Sequence, residues 1–293
     1  GIKLYAKEGK PKHITISIYL RNYDEAFYWA KENFTRRDKD IYEEEFVEAL
    51  TDDTYGESTK ERFARIEKIE KQAKWLTRFA WGLPIAYLFI KQAQFILKPI
   101  LLLYPLVLTG FIIYHKGAVK IYDTQRHETH FYPNLLTALL VSCIAVGLYG
   151  MFQFDIYSWN NQWINLIVLS LLLCATVYFY APKSMETKAS KKLGTLIFLF
   201  VFYFFYSVGI VKEINCSYDN SAPLVYEAIV DGKHISKGKT RSHNIELQEW
   251  GPENKATTLG SVKAEYYNSI SKGDTLQMKY REGLLKIAWY EVN

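Results

Sequence analysis

The chain has 293 residues, 49% of them hydrophobic and 23% charged, with a mean hydropathy of -0.11. That mean averages two unlike kinds of sequence. Residues 1–74 carry 15 Lys/Arg against 16 Asp/Glu and residues 214–293 carry 10 of each, so the +5 net charge comes from residues 75–213, with 11 Lys/Arg and 5 Asp/Glu. This middle is too apolar to stay in water, which excludes a soluble globular protein and removes pI ≈ 8.8 as an argument for nucleic-acid binding. Three cysteines, two of them within apolar runs, form no disulfide framework.

Residues 1–56 read as an α+β domain. Gly1–Ala6 and His13–Tyr19 alternate as strands around the turn-rich Lys7–Lys12. Asn22 with Glu25 forms a capping-box pattern for a helix over Tyr23–Phe34, and Asp40 with Glu43 starts a second helix to Leu50. Ser58 with Glu61 opens an amphipathic connecting helix over 57–74, whose face Phe63, Ile66, Ile69, Ala73 and Leu76 leads to the apolar middle. A strand pair followed by an amphipathic helix resembles the end of a bacterial pleckstrin-homology-like domain over residues 1–36. Such a domain has about five further strands, so the resemblance implies missing sequence before Gly1. No signal-peptide pattern occurs in residues 1–30.

The transmembrane region, 75–213, predicts five spans: about 75–91, 96–114, 131–152, 161–180 and 193–210. Four spans remain an alternative, because Phe79–Ile90 offers only 12 uncharged residues between Arg78 and Lys91. The loops 115–130 and 181–192 carry Lys116, Lys120, Arg126, Lys183, Lys188, Lys191 and Lys192, whereas 91–98 and 153–160 carry only Lys91 and Lys98. The positive-inside rule then puts the first pair of loops and the N-terminus in the cytoplasm and residues 214–293 outside. The expected place is a bacterial inner membrane. No Asp, Glu, Arg or His lies mid-span, which reads as a passive helical anchor.

Residues 214–293 switch to strands: Leu224–Val230, Ser242–Trp250, Thr257–Lys263, Thr275–Arg281 and Lys286–Glu291. Turns are expected at Asp231-Gly232, Gly251-Pro252, Lys272-Gly273-Asp274 and Glu282-Gly283. Five short strands in so few residues predict a small barrel-like, oligonucleotide-binding-fold (OB-like) domain. Trp289 and Leu285 are expected inside its core. Tyr266 to Asp274, followed by Gly283-Leu284-Leu285-Lys286-Ile287-Ala288-Trp289, resembles an uncharacterised bacterial family of β domains tethered to membrane helices. The resemblance covers about 223–291 and implies a fold and a tether, with no reaction.

Lys237, Lys239, Arg241 and His243 alternate on an expected hairpin, which puts all four on one face. They are the candidate anion- or partner-binding residues. Ile245 and Leu247 continue the same parity, so a turn or bulge must intervene if those two face the core. His127-Glu128-Thr129-His130 spaces its histidines by three, where a metalloprotease helix needs four. No catalytic, cofactor or metal site is expected, and the chain reads as no enzyme. The functional expectation is a non-catalytic membrane protein: an accessory subunit, scaffold or envelope binding protein, an immunity protein among them. Its partners are membrane lipids and a protein or a second copy of itself. The alternative is a transporter or channel-like component working as an oligomer.

Overall fold

The computed structural model describes residues 2–5, 13–16, 22, 25–26, 28–30, 37–115, 117–121, 131–159, 161–185, 189–237 and 241–292. The chain forms two compact units, residues 1–72 with 123–133, and residues 73–122 with 134–293.

In the first unit, β1 (Ile2–Tyr5) pairs antiparallel with β2 (His13–Ile16). The expected helix over 23–34 is described only at 25–26 and 28–30, which are helical. Asn22 and Glu25 do interact there, Nδ2 donating to Oε2 at 3.2 Å. Helix α1 (Arg37–Thr51) is followed by α2 (Thr59–Phe89). Ser58 caps α2 as expected, its Oγ accepting from the Glu61 amide at 3.3 Å. Ile66, Ile69 and Ala73 are buried as their spacing predicts, but Phe63 is exposed. The Glu45 carboxylate accepts the Phe131 amide at 2.7 Å, which joins residue 131 to α1.

Among the described residues, four helices are long and apolar enough to cross a membrane, the build of a helical membrane protein. They are α3 (Gln94–Tyr114), α4 (Leu136–Gln153), α5 (Gln162–Tyr180) and α6 (Ala189–Ser217). Residues 75–89 are helical too, but as the end of α2 rather than as a separate element. The third predicted span, 131–152, starts late: Asn134 precedes the helix, its side chain accepting the Leu136 amide at 2.8 Å. The last helix runs seven residues past the predicted end at 210, because no glycine, proline or turn residue stops it before Ser217.

The helices alternate in direction. At one end, Ile121 donates to the Ser184 carbonyl and Lys120 Nζ to that of Lys183, both at 3.0 Å, joining the loops after α3 and α5. At the other, Lys98 at the start of α3 pairs with Glu213 near the end of α6 at 2.7 Å. Helices α4 and α6 cross at glycines. A Cβ on Gly209 would lie 2.1 Å from the Val146 carbonyl oxygen, and one on Gly150 would lie 2.5 Å from Gly209 Cα. With lipid as apolar as the side chains, this close approach supplies packing that hydrophobicity cannot. The buried Tyr203 hydroxyl meets Thr109 Oγ1 at 2.8 Å, and Ser170 meets Ser207 at 3.1 Å.

Beyond α6 a curled, antiparallel half-barrel forms, with strand order β3-β8-β7-β4-β5-β6. Here β3 is Asp155–Ile156, β4 Leu224–Lys237, β5 Arg241–Trp250, β6 Lys255–Leu259, β7 Thr275–Arg281 and β8 Trp289–Val292. A short helix, α7 (Ala264–Ser269), precedes β7. The turn expected at Asp231-Gly232 is instead a bulge in β4. Before the bulge β4 pairs with β7, and after it with β5, so one long strand serves two halves of the curled sheet.

Strand β3 comes from the loop between α4 and α5, not from the C-terminal segment. It carries Tyr157 into the core beside Ala228, Val230, Ile245, Leu247, Trp250, Met278, Tyr280 and Tyr290. The Tyr157 hydroxyl donates to the Trp250 carbonyl at 2.6 Å, and its ring meets those of Trp250 and Tyr280 edge-on. Trp289 is buried, but outside this core. It lies against Phe154 and Arg281 instead. Leu285 packs beside Ile287, Leu166, Val208 and Val211, between the β domain and the helices. The parity argument that put Trp289 and Leu285 in the barrel fails because residues 283–288 form a loop, so strand alternation does not apply to them.

Candidate functional site

Of the basic residues singled out in the sequence, Lys237, Arg241 and His243 lie on the paired strands β4 and β5. Lys237 ends β4, Arg241 begins β5, and the two backbones are directly paired. Lys239 lies outside the described residues. His243 pairs with Ile235, and its ring lies 4.8 Å from that of Tyr267. The pairing is unbroken from Lys237↔Arg241 to Lys233↔Ile245, so no bulge separates His243 from buried Ile245. The strands outrun the core instead, and the face that is apolar at Ile245 continues as His243 further along. Lys233 belongs to this face as well. Its ammonium sits 4.3 Å over the Tyr267 ring and donates to the Ile270 carbonyl. Tyr267 therefore meets both an ammonium and an imidazole. His127 and His130 fall outside the described residues. No three His, Cys, Asp or Glu side chains gather at metal-binding distance among the described residues.

A second polar assembly lies where the β domain meets α6. Asn215 is fully buried at the end of that helix. Its Nδ2 donates to the Ile287 carbonyl at 2.8 Å and its Oδ1 accepts the Leu285 amide at 2.9 Å. Gly283 passes so close that a Cβ would lie 2.4 Å from Asn215 Oδ1, and its φ of +79 is itself costly for any other residue. One turn onward, Asp219 accepts from the Ser221 amide at 2.8 Å, the Ser221 hydroxyl at 3.0 Å, the Gly283 amide at 3.1 Å and the Trp289 indole at 2.8 Å. Burial works to raise the pKa of this carboxyl. The donated hydrogen bonds outweigh it and hold the group below the usual carboxylate range. The Gly-Leu-Leu-x-Ile-x-Trp ending is thus the segment that receives α6.

A third lies inside the bundle. Glu213 is buried, bonded to Lys98 and accepting the Tyr149 hydroxyl at 2.8 Å, with the Lys98 ammonium 5.7 Å from the Tyr149 ring centre. Ending the last span at 210 left Glu213 outside the predicted helix. The signal that could have found it is the run Ile210-Val211-Lys212-Glu213-Ile214-Asn215-Cys216, which contains no helix breaker.

No protein-family model, curated protein or solved structure matches this chain.

Proposed function

We propose that this is a non-catalytic bacterial inner-membrane protein that presents a rigid extracytoplasmic β domain to a partner. The observation that carries the reading is how the β domain is held. Asn215 and Asp219 fasten its last loop to α6, and Tyr157 enters its core from the loop between two membrane helices. A domain joined at two points keeps the orientation of its binding face relative to the bilayer, which suits an accessory subunit, scaffold or envelope binding protein. The basic hairpin at Lys237, Lys239 and Arg241, with His243 behind it, is the face assigned to an acidic partner. A protein partner or a second copy of this chain meets that requirement. Membrane lipid surrounds the spans.

The order of β6-β5-β4-β7-β8, with a helix between β6 and β7 and a bulged first strand shared between two halves, supports an OB-like reading of the domain. The resemblance of residues 223–291 to membrane-tethered β domains is in keeping with it. A fifth crossing by the end of α2 is supported by the Tyr104 hydroxyl, which donates to the Leu76 carbonyl at 2.6 Å, and by Tyr87, which meets Tyr149 edge-on. These contacts set Leu76 to Phe89 beside α3 and α4. Trp75 and Trp81 are exposed, as interfacial tryptophans are. With five crossings the positive loops face the cytoplasm and the β domain does not.

Purification of the full chain in mild detergent tests the function. A stoichiometric partner lost on Lys237→Gln/Lys239→Gln/Arg241→Gln substitution supports the reading, and a partner retained by the triple variant refutes the assignment of the hairpin.

A further inference from the structure

Among the described residues, the cation near the end of α6 has no ion-pair partner. Lys212 is 2% exposed, and among the described residues its ammonium meets only the Trp159 indole, 4.9 Å from the ring centre. Glu213, the next residue, is committed to Lys98 and Tyr149. Asp155 acts on Lys212 only through its field, since no carboxylate lies within the 4.0 Å of an ion pair. A buried, unpaired ammonium is among the costlier arrangements a protein can hold.

A second unmet demand lies at the same corner. Gln162, the first residue of α5, is 0% exposed, and among the described residues neither its side-chain amide nitrogen nor its side-chain oxygen has a hydrogen-bond partner. It is one turn before Leu166 and two before Ser170, both of which meet α6, at Val208, Val211 and Ser207. Antiparallel packing then brings Gln162 level with the stretch Lys212–Asn215. Its backbone N–H donates to the Trp159 carbonyl at 3.2 Å, so Trp159 belongs to both halves of the corner. The unpaired amides of a 19-residue helix point here as well.

We propose that Lys212, Gln162 and Trp159 bind the phosphate group of an anionic phospholipid in the leaflet next to the β domain. The ammonium supplies the charge, the Gln162 amide a directed donor, and Trp159, 40% exposed, the flap through which the headgroup enters. The surroundings choose lipid over free phosphate. Trp163, Ile167 and Leu171 form one exposed apolar row running from this corner along α5, where acyl chains would lie. Trp159 and Trp163, 6.5 Å apart, stand at the helix end as interfacial aromatics do. The proposal rests on the reading that α5 and α6 cross a bilayer.

The test uses the full chain in phosphatidylcholine nanodiscs containing either brominated phosphatidylglycerol or brominated phosphatidylcholine. Trp159 emission is taken as the difference between wild type and Trp159→Phe. The anionic lipid is expected to quench at a mole fraction about tenfold lower than the neutral one. Lys212→Met should erase that difference and Gln162→Leu should reduce it. Equal quenching by the two lipids in wild type overturns the proposal, and this comparison stands even if Lys212→Met does not fold. Loss of the difference on adding millimolar inorganic phosphate overturns the lipid assignment in favour of free phosphate. Failure of the wild type to enter nanodiscs overturns the membrane reading itself, and is separately visible by flotation.

Discussion

The indole nitrogen of Trp289 donates to the Asp219 carboxylate over 2.8 Å. Seventy residues separate the two in sequence, and the bond closes the β domain onto the turn that follows α6. Because the carboxyl is held below its usual range, its charged form is the one that stabilises the fold. That contribution is present in full above the unfolded value, about pH 4, and is lost as pH falls through the lower folded value. The thermal midpoint of wild type should therefore fall on acidification below about pH 4. Asp219→Asn should cost about 1–3 kcal/mol at pH 7 and make the acid loss shallower. An unchanged acid limb in the variant would show that Asp219 is not the group responsible.

Tyr157 makes the β domain depend on the membrane helices. Tyr157→Phe removes one buried hydroxyl and its hydrogen bond to the Trp250 carbonyl, at a cost of about 1–3 kcal/mol. Tyr157→Ala should cost about 3–5 kcal/mol. Residues 214–293 expressed alone should show no cooperative thermal transition by circular dichroism, since the centre of their core is absent. A sharp transition in that fragment would contradict the role given to Tyr157.

The crossing of α4 and α6 has no room for a side chain at Gly209. Gly209→Val should destabilise the bundle by about 1–3 kcal/mol or more, read as a lower melting temperature in detergent. Gly194→Ala, on the same helix with nothing within 4 Å of its Cβ position, is the matched control and should melt like wild type.

Lys98→Met leaves Glu213 buried without its cation. Since Lys98 is partly exposed, the loss should fall somewhat below the ~3–5 kcal/mol of a fully buried pair. Glu213→Leu placed in the same chain should restore most of the lost melting temperature, because an apolar pair has no charge to desolvate. A double variant no more stable than Lys98→Met would mean that Tyr149 or the packing, rather than the ion pair, sets the cost.

Labelling decides orientation. Glu253→Cys lies in the exposed turn after β5, next to Asn254, whose φ of 44 makes it a poorer site. The native cysteines are buried, so the background is low. An impermeant maleimide should label intact cells expressing the variant. Labelling only after lysis would invert the topology.

Uncharged runs of 16 or more residues identified α3 to α6 directly, since the cost of exposing polar groups to lipid is written in composition. Alternation and turn residues likewise predicted β7 to the residue, because both faces of that strand read cleanly. The end of α6 was legible only where charge was absent, so Lys212, Glu213 and Asn215 all fell beyond the predicted helix end at 210. The pairing of β4 with β7, the entry of Tyr157 and the reach of Asp219 to Trp289 join residues 46 or more apart, and no local period encodes such pairings. Local sequence determined which segments are apolar helices and which are strands. Only the tertiary structure decided that the β domain is built partly from a membrane loop, because burying Tyr157 and satisfying Asn215 and Asp219 depend on surfaces brought together by folding.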